Sequence, residues 1–387
     1  MRLQVVRPGL LTTLQDRGRR GYESLGISIG GVLDDYAAAV ANRLAGNGPD
    51  GAVLEMTLAG PELEVVADGL LGLAGADMDA RLNGRPWSPG SAVGVRAGDR
   101  ITFSRARTGL RAYLAAAGGF AGDRWLESRS TDLLLGRGGI NGRPLAAGDM
   151  LEAEGDGGGP LYLATRAAMA PSGPVRLLAS DEGEDAVRRL TMDLFHVSPR
   201  SDRVGLRLSE RIGADLARLA LERGAAGGTG LSEGMAMGSV EVTPAGEVIV
   251  LLKARGTVGG YFVPAHVIRA DWPRLAQLRP GEAVRMELVS RDGAAAAARE
   301  LAALANARMA ISPGRVAASI TAPAGGGVVD DIRIGGAAVR AGESVAVVRQ
   351  GEERVVVFSP RDGTAAWCCP AQRPVSEGDP LLWIADP

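Results

Sequence analysis

The chain has 387 residues, enough for two or three domains, and its apolar fraction of 46% is ordinary for a folded globular protein. A net charge of −2 with both signs interspersed leaves no basic stripe for nucleic acid and no acidic tail. No apolar run reaches the length of a membrane span, and the opening MRLQVVRPGLLTTLQD lacks the apolar core of a secretion signal, so a cytoplasmic protein is expected.

Rare residues narrow the chemistry. Lys253 is the sole lysine, so no phosphate-binding GK[ST] loop exists and a lysine-tethered cofactor could sit only there. Two histidines, His196 and His266, leave little room for histidine general-base catalysis, and no Ser-His-Asp arrangement is evident. The two cysteines, Cys368 and Cys369, are adjacent and are read as reduced; with two histidines and no CxxC pair, no metal site is expected.

In chain order, short alternating apolar runs separated by glycine predominate, for example LEVVADGLLGLAG, AVGVRAGDRITF and GEVIVLLKA. This pattern predicts many short strands joined by tight turns, hence sandwiches or barrels. Helical spacing occurs at about 34–44, where Asp34 precedes the run as an N-cap, at about 185–195, and at 292–307. The flexible stretch GDGGGP (155–160) and the helix end at NARM (306–309) suggest boundaries at about 165 and 308. The expected domains are 1–165, 166–307 and 308–387.

Four polar groups are candidate sites. Gln15, Asp16 and Arg19 lie in a glycine-flanked loop after a strand, where a carboxylate and an arginine fork could hold a planar amide; the alternative is a turn-stabilising Asp16–Arg19 pair. Tyr22 is either a polar-tipped wall or core. Ser128, Arg129, Ser130 and Thr131 form a dense donor cluster suited to an anionic group such as carboxyphosphate, or else to loop hydrogen bonding. Asp202 and Arg203 pose the same choice. LLKARGTVGGYF (251–262) is the strongest candidate for chemistry: Lys253 and Arg255 end an apolar strand, and Thr257, Gly259, Gly260 and Tyr261 follow, with glycines that permit close approach of a ligand. The bland reading is a glycine-rich hairpin with solvated cations.

The tail contains an internal repeat. APAGGGVVDDIRIGGAAVRAGESVAVV and SPRDGTAAWCCPAQRPVSEGDPLLWI each run from proline through glycine and a short strand to a Gly-acid turn, Gly342-Glu343 and Gly378-Asp379. This resembles the biotinyl and lipoyl domains over about 315–385. Counting from Gly342 to Pro360 places Glu352 where the family carries its modified lysine. A carboxylate cannot form the amide to biotin, so no covalently bound cofactor is expected, and the domain is either a docking module or a decayed carrier.

TTLQDRGRRGYESLGISIGGVLDDYAAAVANRLAGN, GLRAYLAAAGGF, LESRSTD, SDRVGLRL, TVGGYF and DWPRLAQLRPGE, in this order, resemble the allophanate hydrolase subunit 2 or KipA family. That family includes the carboxyltransferase region of urea carboxylase and the C subunit of the bacterial 5-oxoprolinase. The sequence departs from the family pattern at Glu127, Glu241, Ala254 and Gly256.

The resemblance implies a mainly β chain of two tandem cyclophilin-like β-barrels. It also implies a heteromeric enzyme acting on a urea-like or lactam amide, as a biotin-dependent carboxyltransferase or part of a 5-oxoprolinase. Asp16 or Glu241 would orient the amide nitrogen, and Lys253, Arg255 and Tyr261 would complete the catalytic set. Carboxybiotin or ATP would come from a partner. The expected partner is a KipI-type protein, with a LamB/YcsF-type protein or a biotin carboxylase beside it. The alternative is a non-catalytic regulatory protein that pairs with a KipI-type partner.

Overall fold

Leu3 and Val5 are buried while Arg2 and Gln4 face water, and this alternation makes Arg2–Arg7 the first strand (β1). The computed structural model describes residues 1–154, 173–181, 183–208, 214–223, 232–307, 316–332, 338–368, 374–378 and 380–385. It is mainly β.

The strands that follow β1 are β2 (Leu11–Gln15), β3 (Val53–Thr57), β4 (Glu62–Ala67), β5 (Gly69–Asp77), β6 (Arg81–Leu82), β7 (Arg85–Pro86), β8 (Ser91–Val95), β9 (Arg100–Thr102), β10 (Thr108–Ala116) and β11 (Met150–Glu152). They form two sheets, ordered β11-β1-β4-β9-β6-β7 and β2-β3-β10-β5-β8. Leu3, Val5, Leu54, Met56, Leu71 and Leu114 meet between them in one apolar cluster. Helix α1 (Asp35–Leu44) covers the other face of the second sheet, packing Ala41 and Leu44 against Val53, Ala74 and Tyr113. Asp34 starts it as an N-cap, accepting the Ala37 N–H at 2.8 Å.

The close contact of helix and sheet depends on Gly72, where an added Cβ would lie 2.3 Å from the Ala41 carbonyl oxygen. Gly72→Val is expected to destabilise by about 1–3 kcal/mol through overpacking. An unchanged urea midpoint would refute this contact.

The next elements are β12 (Val175–Ala179), α2 (Glu184–Leu190), β13 (Phe195–His196), β14 (Gly205–Leu208), α3 (Ala214–Arg223), β15 (Glu233–Gly234), β16 (Ser239–Val242), β17 (Val248–Leu251), β18 (Val258–Gly259), β19 (Phe262–Val267), α4 (Trp272–Gln277), β20 (Ala283–Val284), β21 (Met286–Leu288) and α5 (Arg291–Ala307). The main sheet runs β14-β17-β16-β19-β12-β21. Val240, Val242, Val248, Val250 and Ala265 turn one face into the core. Ser239 and Glu241, one step out of phase, belong to the opposite face, with Met235, Ile249, Leu251 and Val263 clustered there.

The helix expected over 185–195 stops at Leu190, because Phe195 pairs with Val284 as a strand. Helices α3 and α4 were not anticipated. The expected boundaries at about 165 and 308 lie outside the described residues, as does Cys369.

Among the described residues, eight further strands follow: β22 (Val316–Thr321), β23 (Gly327–Ile332), β24 (Ala338–Val339), β25 (Ser344–Gln350), β26 (Glu353–Phe358), β27 (Gly363–Cys368), β28 (Pro374–Val375) and β29 (Pro380–Ala385). They form two four-stranded sheets, β22-β29-β27-β24 and β26-β25-β23-β28. Gln350 pairs with Glu353, leaving Gly351 and Glu352 as an exposed two-residue turn. Gly351 has φ +63°, the conformation such a hairpin turn demands.

Candidate functional site

The polar residues singled out in the sequence fall into three groups. The first is self-contained. Asp16 accepts hydrogen bonds from Ser128 Oγ and Ser130 Oγ at 2.6 Å each, from the Arg129 N–H at 2.6 Å and from the Gly18 N–H at 2.8 Å. Burial alone would raise its pKa, but these four donors hold it below the ordinary carboxylate value. Arg19 is fully buried. It donates to the Ser130 carbonyl and to Asp132 at 3.3 Å, and stacks 4.8 Å from the Trp125 ring centre.

Gln15 Nε2 donates to Thr13 and to the Thr131 carbonyl, and Thr131 Oγ1 bonds the Leu14 carbonyl. The Arg129 side chain turns away to Glu154. Leu126 and Glu127, both at positive φ, make the tight turn that delivers Ser128–Thr131 to Asp16. Thus the first-block loop and the Ser-Arg-Ser-Thr segment are brought together, chiefly as partners of one another.

The second group spans the junction between the two halves. Arg203 reaches Glu55 and donates to the Gly31 carbonyl at 2.5 Å. The other Glu55 oxygen accepts from the Leu33 N–H at 2.8 Å and the Tyr113 hydroxyl at 2.9 Å. Asp202 does not pair with Arg203; it accepts the Val204 and Gly205 N–H groups in a turn. Lys253 Nζ pairs with Asp35. Burial lowers the pKa of Lys253, with Asp35 opposing.

Arg255 Nε donates to the Met235 carbonyl at 2.8 Å, its Nη2 lies 3.7 Å from Glu23, and its Nη1 is buried without a partner among the described residues. Tyr22, half-buried, immediately precedes that glutamate in the short 3-10 turn Glu23–Leu25. Gln277 Nε2 bonds Asp34 at 2.8 Å and the Arg111 carbonyl at 2.9 Å. Burial raises the Asp34 pKa to about 6, with the Ala37 N–H and Gln277 opposing.

The third group lines an open cleft of about 350 Å³ on the outer face of the second half's main sheet. Its floor is Glu241 on β16. Val204, Met235, Leu251 and Val258 form apolar walls, and the backbone of Gly256, Gly259 and Gly260 forms the rim with Tyr261. Glu241 is 7% exposed and accepts no hydrogen bond among the described residues. Burial raises its pKa, partly offset by Arg207. Tyr261 is 46% exposed, so its ring stands at the mouth. Thr257 ties the rim to the floor side through its carbonyl, which accepts the Met235 N–H at 2.9 Å. Glu241, Gly259, Gly260 and Tyr261 therefore share one cavity, whereas the charged ends of Lys253 and Arg255 are engaged beside it.

Sequence reasoning did not single out the cleft's apolar walls or the partners Asp35 and Glu23, and it gave Glu55, which matches the family pattern, no partner. Glu55 carried a usable signal, since a charge between Leu54 and Met56 in a buried strand requires a partner.

The family model for the carboxyltransferase domain, subdomain A and B, matches residues 25–288. The C subunit of 5-oxoprolinase from Escherichia coli (strain K12) is 35% identical over 305 residues, covering 76% of this chain and 93% of that protein. Urea amidolyase of Lachancea kluyveri is 29% identical over 317 residues, covering 74% of this chain and 17% of that protein. The crystal structure of the K. lactis urea amidolyase superposes with TM-score 0.70 at 20% identity, covering 99% of this chain and 25% of that one, a likeness of fold. The chain spans a quarter or less of these urea amidolyases. It belongs to the carboxyltransferase domain family with subdomains A and B, the group that holds the KipA and allophanate hydrolase subunit 2 proteins.

Proposed function

We propose that the chain is one component of a heteromeric, amide-directed cytoplasmic enzyme, either a 5-oxoprolinase or a biotin-dependent carboxyltransferase, built on two cyclophilin-like barrels and a biotinyl/lipoyl-like tail. It would act on a urea-like or lactam group together with a KipI-type partner. The observation that carries this reading is the cleft under the 251–262 loop, in which a carboxylate free of partners among the described residues faces apolar walls and glycine backbone.

Within it, Glu241 accepts an N–H of the amide and fixes its plane. The Tyr261 hydroxyl can donate at the mouth, and the buried Met235 and Leu251 form the dry side of the site. Lys253 and Arg255 hold the loop ends in place through Asp35 and the Met235 carbonyl. The Asp16 cluster and Arg203 position the first-block loop against the second half.

The tail does not fit a resident biotin: the hairpin turn is Gly351–Glu352, and a carboxylate side chain offers no amine to acylate. Carboxybiotin or ATP would enter as a substrate supplied by a partner, a biotin carboxylase or a LamB/YcsF-type protein. The same turn favours a second reading, a non-catalytic protein that pairs with a KipI-type partner.

Co-purification with KipI-type and LamB/YcsF-type proteins, followed by an assay of ATP-dependent amide hydrolysis, tests both. Under the enzymatic reading, Glu241→Ala lowers kcat by about 10²-fold through lost orientation of the amide. A stable complex without turnover would instead support the second reading. Turnover unaffected by Glu241→Ala would remove the cleft from the chemistry.

A further inference from the structure

The cleft's charge and shape say more about its ligand. Glu241 is the one ionisable side chain among the described residues that line it, apart from the Tyr261 phenol. The residue is more than nine-tenths buried, its carboxylate opens into the cleft, and it is unpaired among the described residues. Gly259 stands against it: an added Cβ would lie 3.0 Å from Glu241 Oε1 and 2.9 Å from Met235 Cγ, so the missing side chain leaves the oxygen approachable.

More acid surrounds the mouth. Exposed Glu233 is the register partner of Gly259 across the β15–β18 ribbon, and Asp202 is anchored on the backbone of the lining residue Val204. The nearby cations are engaged elsewhere. Arg207 lies 3.4 Å from Glu247, which also holds Arg200, and the unpartnered Arg255 Nη1 is closed off from solvent.

A buried carboxylate whose described counter-charge, Arg207, is shared with Glu247 is costly, and an ionised carboxylate only accepts hydrogen bonds. The ligand that relieves both conditions brings N–H donors and positive charge. A carboxylate-bearing ligand meets an acid floor with no cation among the described lining residues. We infer that the cleft takes a cationic N–H head group, of the amidinium or guanidinium kind, on a short apolar arm that lies against Met235, Leu251 and Val258. It selects against lactams that carry a carboxylate. The inference rests on the cleft being the substrate site, as in the proposed function.

Binding to the purified full-length chain is to be measured by calorimetry with three probes: n-butylguanidinium, its neutral counterpart n-butylurea, and 5-oxoproline. Charge-assisted hydrogen bonds exceed neutral ones enough to give butylguanidinium roughly a tenfold advantage over butylurea, with 5-oxoproline the weakest. Glu241→Gln should abolish that advantage while butylurea still binds. Gly259→Ala should weaken both butyl probes, and it decides the matter alongside the wild-type ranking should the first variant fail to fold.

The inference is overturned by 5-oxoproline binding as tightly as butylguanidinium, by a guanidinium preference that survives Glu241→Gln, or by a folded wild-type chain that binds none of the probes. Because the readout needs no partner, failure of the heteromeric complex to assemble would count against the enzyme reading without changing what the three probes report of the cleft.

Discussion

Arg203→Ala should cost about 3–5 kcal/mol of stability, the loss typical when one partner of a buried ion pair is removed. Arg203 is buried between the halves, and its guanidinium serves both the Glu55 carboxylate and the Gly31 carbonyl. Without it, Glu55 keeps two neutral donors, the Leu33 N–H and the Tyr113 hydroxyl, but its nearest remaining cation is Arg111 at 3.8 Å. Denaturant unfolding measures the loss. Adding Glu55→Gln to the Arg203→Ala chain should recover part of it, since the stranded charge is then gone. A single-variant loss below about 1 kcal/mol, the range of exposed pairs, would mean that solvent reaches this junction.

Asp16→Asn should destabilise at neutral pH by about 2–3 kcal/mol and flatten the acid limb of the stability curve. The carboxylate collects four donors, and an amide oxygen can satisfy only part of that set. The folded-state pKa of Asp16 lies below its ordinary 3.8, so its contribution is fully present above pH 3.8 and is lost as pH falls through the lower folded value. The wild-type and variant curves should therefore converge in acid. Parallel curves down to the lowest pH at which the protein stays folded would show that the Asp16 cluster contributes nothing through its charge.

Much of the architecture was legible because it is local. Alternation and glycine punctuation announced a strand-rich chain. Asp34 before a run with helical spacing announced α1, and the residue count from Gly342 placed Glu352 in the hairpin turn. Helix α3 escaped because ADLARLALER is short and is followed at once by a glycine-rich segment, although Arg218 and Glu222 form an i,i+4 pair on it.

The candidate site was legible in residue type but not in grouping. Lys253 and Tyr261 are eight positions apart, yet one pairs across the junction with Asp35 while the other stands at the mouth of the cleft. The Lys253–Asp35 pair joins residues more than 200 positions apart, which no local pattern encodes. Glu127 shows the limit differently: its φ of +63° suits glycine, and tertiary context holds a glutamate there.

Leu33 precedes α1 in the first half but is packed in the apolar core of the second. Conversely, Gln277 and the Ala276 carbonyl from the second half satisfy Asp34 and Arg111 of the first. A break introduced between residues 154 and 173 would thus yield two fragments that complement each other and lack finished surfaces when apart. During synthesis, the first half gains its last buried partners only after residue 277 has left the ribosome. The family model accordingly runs across both halves without a break, over residues 25–288.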